Sequence, residues 1–316
     1  MKESDEFLIL QKFFKSLGSQ YNDSSGVLVG PGDDAGLFSV KNSELVFSTD
    51  VSNENIHFPK KLDPELIAYR ACAVAASDIA ACGASLKWLS ISLVTPNKSL
   101  DWLQKFAKGI ENFTKNYRVP VIGGDLVSGK ECSISIGVCG EVKKNVFLSR
   151  KGAKIGDSIY VTGKLGLAKL GLELSLRKKS KLSTLEKESL KKFLEPKIQI
   201  LLGINLRKIA NSCIDISDGL LGDLNHICEE SQVGARIDKE LIPYAGSFEE
   251  AMTWGDDYEL CFTVPQNKEK KLDEIRKKIE TKFCKIGQII SGKGIKIFDH
   301  QQEITLKKTG YNHFRK

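Results

Sequence analysis

The sequence predicts an α+β fold in two domains, and three observations carry that expectation. Apolar residues at helical spacing alternate with apolar residues at strand spacing along most of the chain. A basic stretch of weak periodicity, Lys143 to Lys154, interrupts the pattern near the middle. The chain has 316 residues, 41% of them apolar, enough to fill two cores of ordinary size. Placing the boundary inside the basic stretch gives domains of residues 1–146 and 147–316.

The first domain opens with an expected amphipathic helix near Glu6 to Leu17, then the loop Gly30-Pro31-Gly32-Asp33-Asp34 and a strand at Glu44 to Ser48. Asp63 to Gly83 reads as a helix because Asp63 suits the N-cap, Pro64 the first helical position and Gly83 the exit. A strand at Leu86 to Val94, a helix from Ser99 to about Tyr117 and strands at Val119 to Ile122 and Cys132 to Val142 complete this half. The second half starts with a strand, Ser158 to Thr162, and a Gly-Lys-Leu-Gly turn into a helix. Beyond a lysine-rich region come a helix ending near Ala210, a strand at Cys213 to Ile216 and a helix from Asp218 to Glu230. Strands at Tyr258 to Val264 and Ile286 to Ile290 flank a second lysine-rich helix.

Composition narrows the function classes. The net charge of +7 is concentrated in lysine-rich stretches that also carry acidic residues, as solvated helix faces do, so a nucleic-acid groove is not expected. A mildly positive surface still favours anionic substrates. The eight cysteines form no C-x-x-C pair and read as small buried hydrophobes in a reducing compartment. No apolar run reaches transmembrane length and MKESDEFLIL lacks a signal-peptide pattern, so a soluble, cytoplasmic protein with no membrane partner is expected.

Seven aspartates carry the functional signal: Asp33 and Asp34 in GPGDDAG, Asp50 in LVFSTD, Asp78 in AASDIAACG, Asp125 in VIGGD, and Asp215 and Asp218 in IDISDG. Carboxylates at the ends of apolar segments suit hard cations such as Mg²⁺, which in enzymes usually accompanies substrate phosphates. Asp78 makes the strongest single case. It lies in a helix that is mostly Ala, Cys, Val, Leu and Ile on every face, where an unpaired carboxylate is costly. A cation or a donor network must neutralise it, the alternative being a salt bridge to Arg70 or a near-surface place in the last turn. At Asp215-Ile216-Ser217-Asp218 a strand runs into a helix, so the turn's N–H groups could bind phosphate or position a metal-bridging carboxylate. His57 stands near the Asp50 segment, and Arg150, in the basic stretch, could clamp a phosphate. Gly124 to Lys130 fits most of the P-loop pattern, but Glu131 replaces the metal-binding hydroxyl and a strand follows where a helix is needed, so that reading is rejected.

Taken together and in order, GPGDDAGLF, FSTDVSNENIHF, ASDIAACGAS, VIGGD, SRKGAKIGDSIYVTG, NSCIDISDGLLGDLNHI, GARID, WGDDYELCFTVP and TGYNHF make the chain resemble the thiamine-monophosphate kinases. That family belongs to a superfamily with aminoimidazole ribonucleotide synthetase, selenophosphate synthetase and a hydrogenase-maturation factor. The resemblance covers nearly the whole chain. It implies an N-terminal α/β domain that dimerises through its sheet and a C-terminal α+β domain. It also implies phosphorylation of thiamine monophosphate by ATP through direct in-line transfer, with no protein nucleophile. By position, Asp34, Ser48, Thr49, Asp50, Asp78, Asp125, Asp215 and Asp218 would hold several Mg²⁺ ions. Gly124, Asp125, Arg150 and Ser217 would contact ATP, and His57, Asp256 and Tyr311 thiamine monophosphate.

Three segments depart from the family pattern. Leu126 and Val127 stand where GGDTT has threonines, Trp254 and Asp256 where GGEDYEL has Gly and Glu, and Lys151 where a small residue is usual. The competing readings are another ATP-dependent enzyme of the superfamily with a different acceptor, and a non-catalytic phosphate- or nucleic-acid-binding protein. Clustered carboxylates would repel phosphate without metals, which counts against the second.

Overall fold

The computed structural model describes residues 27–29, 33–97, 99–177, 181–306 and 310–311. The helix expected near Glu6 to Leu17 lies outside them. Six strands, β1 (Val27–Val29), β2 (Gly36–Ser39), β3 (Glu44–Asn53), β4 (Ser85–Thr95), β5 (Val121–Ser128) and β6 (Ser133–Val142), form one sheet in the order β1-β2-β3-β6-β4-β5. Two helices, α1 (Pro64–Ala81) and α2 (Leu100–Tyr117), accompany it. α1 packs on the sheet and α2 packs on α1. Asp63 caps α1, accepting the Glu65 N–H at 2.9 Å, and Gly83 leaves the helix with φ +65°, as the sequence predicts.

The second sheet has seven strands: β7 (Ser158–Thr162), β8 (Ser212–Asp215), β9 (Gly234–Asp238), β10 (Leu260–Val264), β11 (Phe283–Ile290), β12 (Gly294–Asp299) and β13 (Gln302–Ile304). Their order is β13-β12-β9-β11-β7-β10-β8, antiparallel except for β9 with β12. Helices α3 (Leu167–Ser175), α4 (Thr184–Leu194), α5 (Ile200–Leu206), α6 (Leu220–Ser231), α7 (Phe248–Thr253) and α8 (Glu269–Lys278) surround it. One core, built on α6 and α7, includes Ile159, Val161, Ile214 and Cys261. The other sheet face, with Tyr160, Phe262 and Phe283, joins the α1 core in one continuous apolar cluster.

That continuity explains why α1 is apolar all round. Its flanks meet α2 and the first sheet on one side and α4, α5 and β8 of the second half on the other, and 15 of its 18 residues are buried. Helix α5 comes so close that a Cβ on Gly203 would lie 2.0 Å from the Ala80 carbonyl oxygen, so only glycine fits.

Some expected boundaries move. The strand expected at Glu44 to Ser48 continues to Asn53 along β6, which puts Ser48, Thr49 and Asp50 inside a strand instead of at its end. The strand expected at Val119 to Ile122 runs Val121–Ser128, carrying Gly123-Gly124-Asp125 within it; its glycines and polar residues disguise it. The helix expected to reach Ala210 stops at Leu206. Seven of the eight cysteines are buried and unpaired, but Cys284 is exposed, because β11 turns it to the solvent face.

Candidate active site and metal centre

Three carboxylates from distant segments converge where the two halves meet. Asp34 precedes β2, Asp78 lies in the last turn of α1 and Asp215 ends β8, and one oxygen of each lies within 4.8 Å of the others. An ion about 2.1–2.4 Å from each oxygen spans such a set. Ser48 Oγ donates to Asp78 Oδ2 at 2.5 Å from β3. Arg150 donates to Asp34 Oδ1 at 2.6 Å. Neighbouring Asp33 braces the assembly, accepting from Ser149 Oγ at 2.5 Å and from the Asp34 and Arg150 N–H groups at 2.9 and 3.3 Å.

The electrostatics mark the cluster as short of cations. Burial pushes Asp34 up to about 7 against the pull of Arg150, and pushes Asp215 up to about 6. Asp50 rises to about 6 through burial and the nearness of Asp218. Asp78 is held well above the carboxylate range, first by lost hydration and then by Asp50, Asp215 and Asp34. Asp78 is half-buried in the last turn of α1, a place the sequence left open as an alternative. Asp34 Oδ2 is buried with no hydrogen-bond partner. An orphaned anionic oxygen among carboxylates is what a hard divalent cation fits.

Arg70 does not neutralise Asp78. Its guanidinium donates to the Phe193 carbonyl at 2.6 Å and pairs with Asp256. The turn at Ser217 and Asp218 also differs from expectation. Asp223, buried in the first turn of α6, accepts both of their N–H groups at 3.1 Å. Those donors are therefore spent inside the protein, and the turn presents side chains instead of an anion-binding cradle. Tyr311 lies beside it, its N–H donating to the Asp218 carbonyl at 2.9 Å. Asp256 approaches from the other side, its N–H bonded to the Ser217 carbonyl at 2.7 Å. A Cβ on preceding Gly255 would stand 2.1 Å from that same carbonyl oxygen.

Not every expected ligand joins the cluster within one chain. Side chains alternate along β3, so Ser48 and Asp50 face α1 while Thr49, exposed with Phe47 and Val51, faces the other way. The register Val51–Ser135–Ser92–Asp125 puts Asp125 on that same open face. It is also separated from β3 by two strands, a distance of about 14 Å at ordinary strand spacing. Gly124 shares this exposed edge strand. His57, just beyond β3, accepts the Asn53 N–H on Nδ1 at 3.0 Å, which leaves Nε2 as the protonated nitrogen of the neutral ring. Asp223 was missed from the sequence, Asp33 was singled out without a role, and Arg70 was read only as a possible partner of Asp78, although a lone arginine in an apolar helix should have demanded a partner of its own.

The chain is a member of the AIR synthase related proteins: residues 32–142 match the N-terminal domain of that family and residues 154–300 its C-terminal domain. A thiamine-monophosphate kinase of Buchnera aphidicola subsp. Acyrthosiphon pisum is 40% identical over 98% of both chains. The thiamine-monophosphate kinase of Escherichia coli K12 is 37% identical over 98% of both. A solved structure described as AaThiL complexed with AMPPCP and TMP superposes with a TM-score of 0.84 at 29% identity, covering 99% of this chain and 98% of that one. Within the larger group, this chain belongs to the thiamine-monophosphate kinase family.

Proposed function

We propose that the chain transfers the γ-phosphoryl group of ATP to thiamine monophosphate, giving thiamine diphosphate and ADP. The observation that carries this is the carboxylate trio of Asp34, Asp78 and Asp215, assembled from three segments around an unpartnered oxygen. Full-length similarity to thiamine-monophosphate kinases supplies the substrate pair.

Asp34, Ser48, Asp50, Asp78, Asp215 and Asp218 would hold several Mg²⁺ ions, which neutralise the two polyanions and set the γ-phosphorus for in-line attack. Arg150 anchors Asp34 with one nitrogen while its buried Nε has no partner, leaving donor capacity for a nucleotide phosphate. Ser217 adds a hydroxyl at the same turn. His57 would donate from Nε2, and Asp256 and Tyr311 flank the Ser217-Asp218 turn where the acceptor would lie. The acceptor oxygen is already ionised, so positioning supplies the catalysis and no protein nucleophile is required.

The chain would act as a homodimer, with a domain boundary at residues 146 and 147. All eight residues of edge strand β5 are exposed, including Val121, Ile122, Leu126 and Val127, and a second sheet would cover them. In that arrangement Thr49 and Asp125, whose side chains face away from their own cluster, and Gly124 beside Asp125 on β5 would serve the partner's site. Among the described residues no helix is long and apolar enough to cross a membrane, and a cytoplasmic location fits the ATP requirement. The test is a Mg²⁺-dependent assay with ATP and either thiamine monophosphate or free thiamine. Thiamine diphosphate formed from the monophosphate alone is the expected result, and ATP turnover without it would remove this reading.

A further inference from the structure

The loop that straps the Ser217-Asp218 turn is backbone-strained. Gly255, Asp256 and Tyr258 have φ of +82°, +67° and +47°, a region that non-glycine residues occupy at a cost. The Asp256 and Tyr258 N–H groups bond to the Ser217 and Ile216 carbonyls at 2.7 and 2.8 Å, so the loop and the metal-ligand turn move as one. Strain of this kind persists where the surroundings over-determine it.

Arg70 supplies the outside constraint. It projects from α1 two turns before Asp78, with its side chain 4% exposed, and pairs with Asp256, which is 22% exposed. The guanidinium carbon lies 4.3 Å from the centroid of the Phe193 ring and 5.8 Å from that of Tyr258. One side chain thus grips both strained residues from the helix that carries a metal ligand. A carboxylate engaged this way is not a bare charge waiting for a cationic ring.

We propose that Arg70 is a positioning residue for the acceptor: it latches Asp256 and Tyr258 to α1, holding the thiamine-phosphate side of the site in register with the metal side. The proposal rests on the function given above and assigns Asp256 to Arg70 first and to substrate second. Two readouts test it on the full chain, steady-state kinetics and amide exchange of the 254–258 loop without ligands.

Arg70→Met keeps apolar bulk and leaves Asp256 able to hydrate. It is expected to raise KM for thiamine monophosphate about tenfold, with KM for ATP changed less than about twofold. Exchange at the Asp256 and Tyr258 amides is expected to accelerate by a similar factor, about tenfold. Arg70→Lys, which keeps charge but cannot grip two partners, should fall between, and it carries the comparison should Arg70→Met not fold. The double variant Arg70→Met/Asp256→Asn should be no worse than the poorer single variant. A KM for thiamine monophosphate that is unchanged or lower in Arg70→Met, costs that add in the double variant, or loop exchange that stays slow would each overturn the proposal. Absence of thiamine diphosphate from the unmodified chain would instead remove the function, while loop exchange would still report on the latch.

Discussion

At the scale of single residues, Asp78 and Asp223 test the two halves of the proposed site, the ion-holding cluster and the turn that carries Asp218. Asp78 sits among three other carboxylates, so Asp78→Asn would remove repulsion as well as the proposed metal ligand. Turnover is expected to fall roughly 10²-fold, the scale seen when one preorganised electrostatic stabiliser is removed. The same variant should melt at a higher temperature than the unmodified protein in EDTA. Calorimetry and kinetics on one preparation check both, and unchanged kcat would count against Asp78 as a ligand. Asp223→Ala leaves the Ser217 and Asp218 N–H groups buried without an acceptor, a loss of roughly 1–3 kcal/mol of stability. Because Asp218 hangs on that turn, the variant should also need more Mg²⁺ for half-maximal rate, which a titration at saturating ATP measures.

At the scale of elements, β5 is the strand whose surroundings are least accounted for by its own chain. A strand exposed on both faces, with four large apolar residues, invites pairing. Leu126→Lys, placed on that strand, is expected to shift sedimentation from dimer to monomer at micromolar concentration and to lower activity in parallel. A variant that remains dimeric would move the interface elsewhere. The sequence announced some elements and hid others for identifiable reasons. α1 declared both ends through Asp63, Pro64 and Gly83, and β7 was legible as a continuous apolar run. β5 was cut short because Gly123, Gly124 and Asp125 read as a turn, and the face they present depends on register, which only pairing with β4 and β6 fixes. Asp34, Asp78 and Asp215 were legible as residue types in apolar contexts. Arg70's choice of Asp256 over Asp78 was not, since 186 residues separate that pair.

For the whole molecule, the carboxylate cluster makes stability depend on pH, and a metal held there as proposed would tie it to divalent cations as well. Asp34 is raised from 3.8 to about 7, and Asp50 and Asp215 to about 6. For a carboxyl whose folded pKa lies above its unfolded value, the folded state binds the proton more tightly. That contribution is fully present below pH 4 and is lost as pH rises toward 7. Mg²⁺ bound as proposed would offset the loss by neutralising the ionised groups. Melting temperatures in excess Mg²⁺ and in EDTA should therefore diverge as pH increases from 5 to 8. A gap that stays constant or narrows over this range would show that the trio is not where the ion binds.

The apolar flank of α1 has one more consequence, which concerns how the protein is made. The helix emerges early in synthesis, but α4, α5 and β8, which cover one of its flanks, follow more than a hundred residues later. Until they arrive, a newly made N-terminal half shows a run of alanine, valine and cysteine side chains to solvent, the kind of surface that chaperones hold and that sticks to neighbouring chains. The same delay keeps Asp215 away from Asp34 and Asp78, so an unfinished polypeptide cannot close the carboxylate trio. A ribosome that stalls in the middle of this message releases an aggregation hazard and not a slow enzyme.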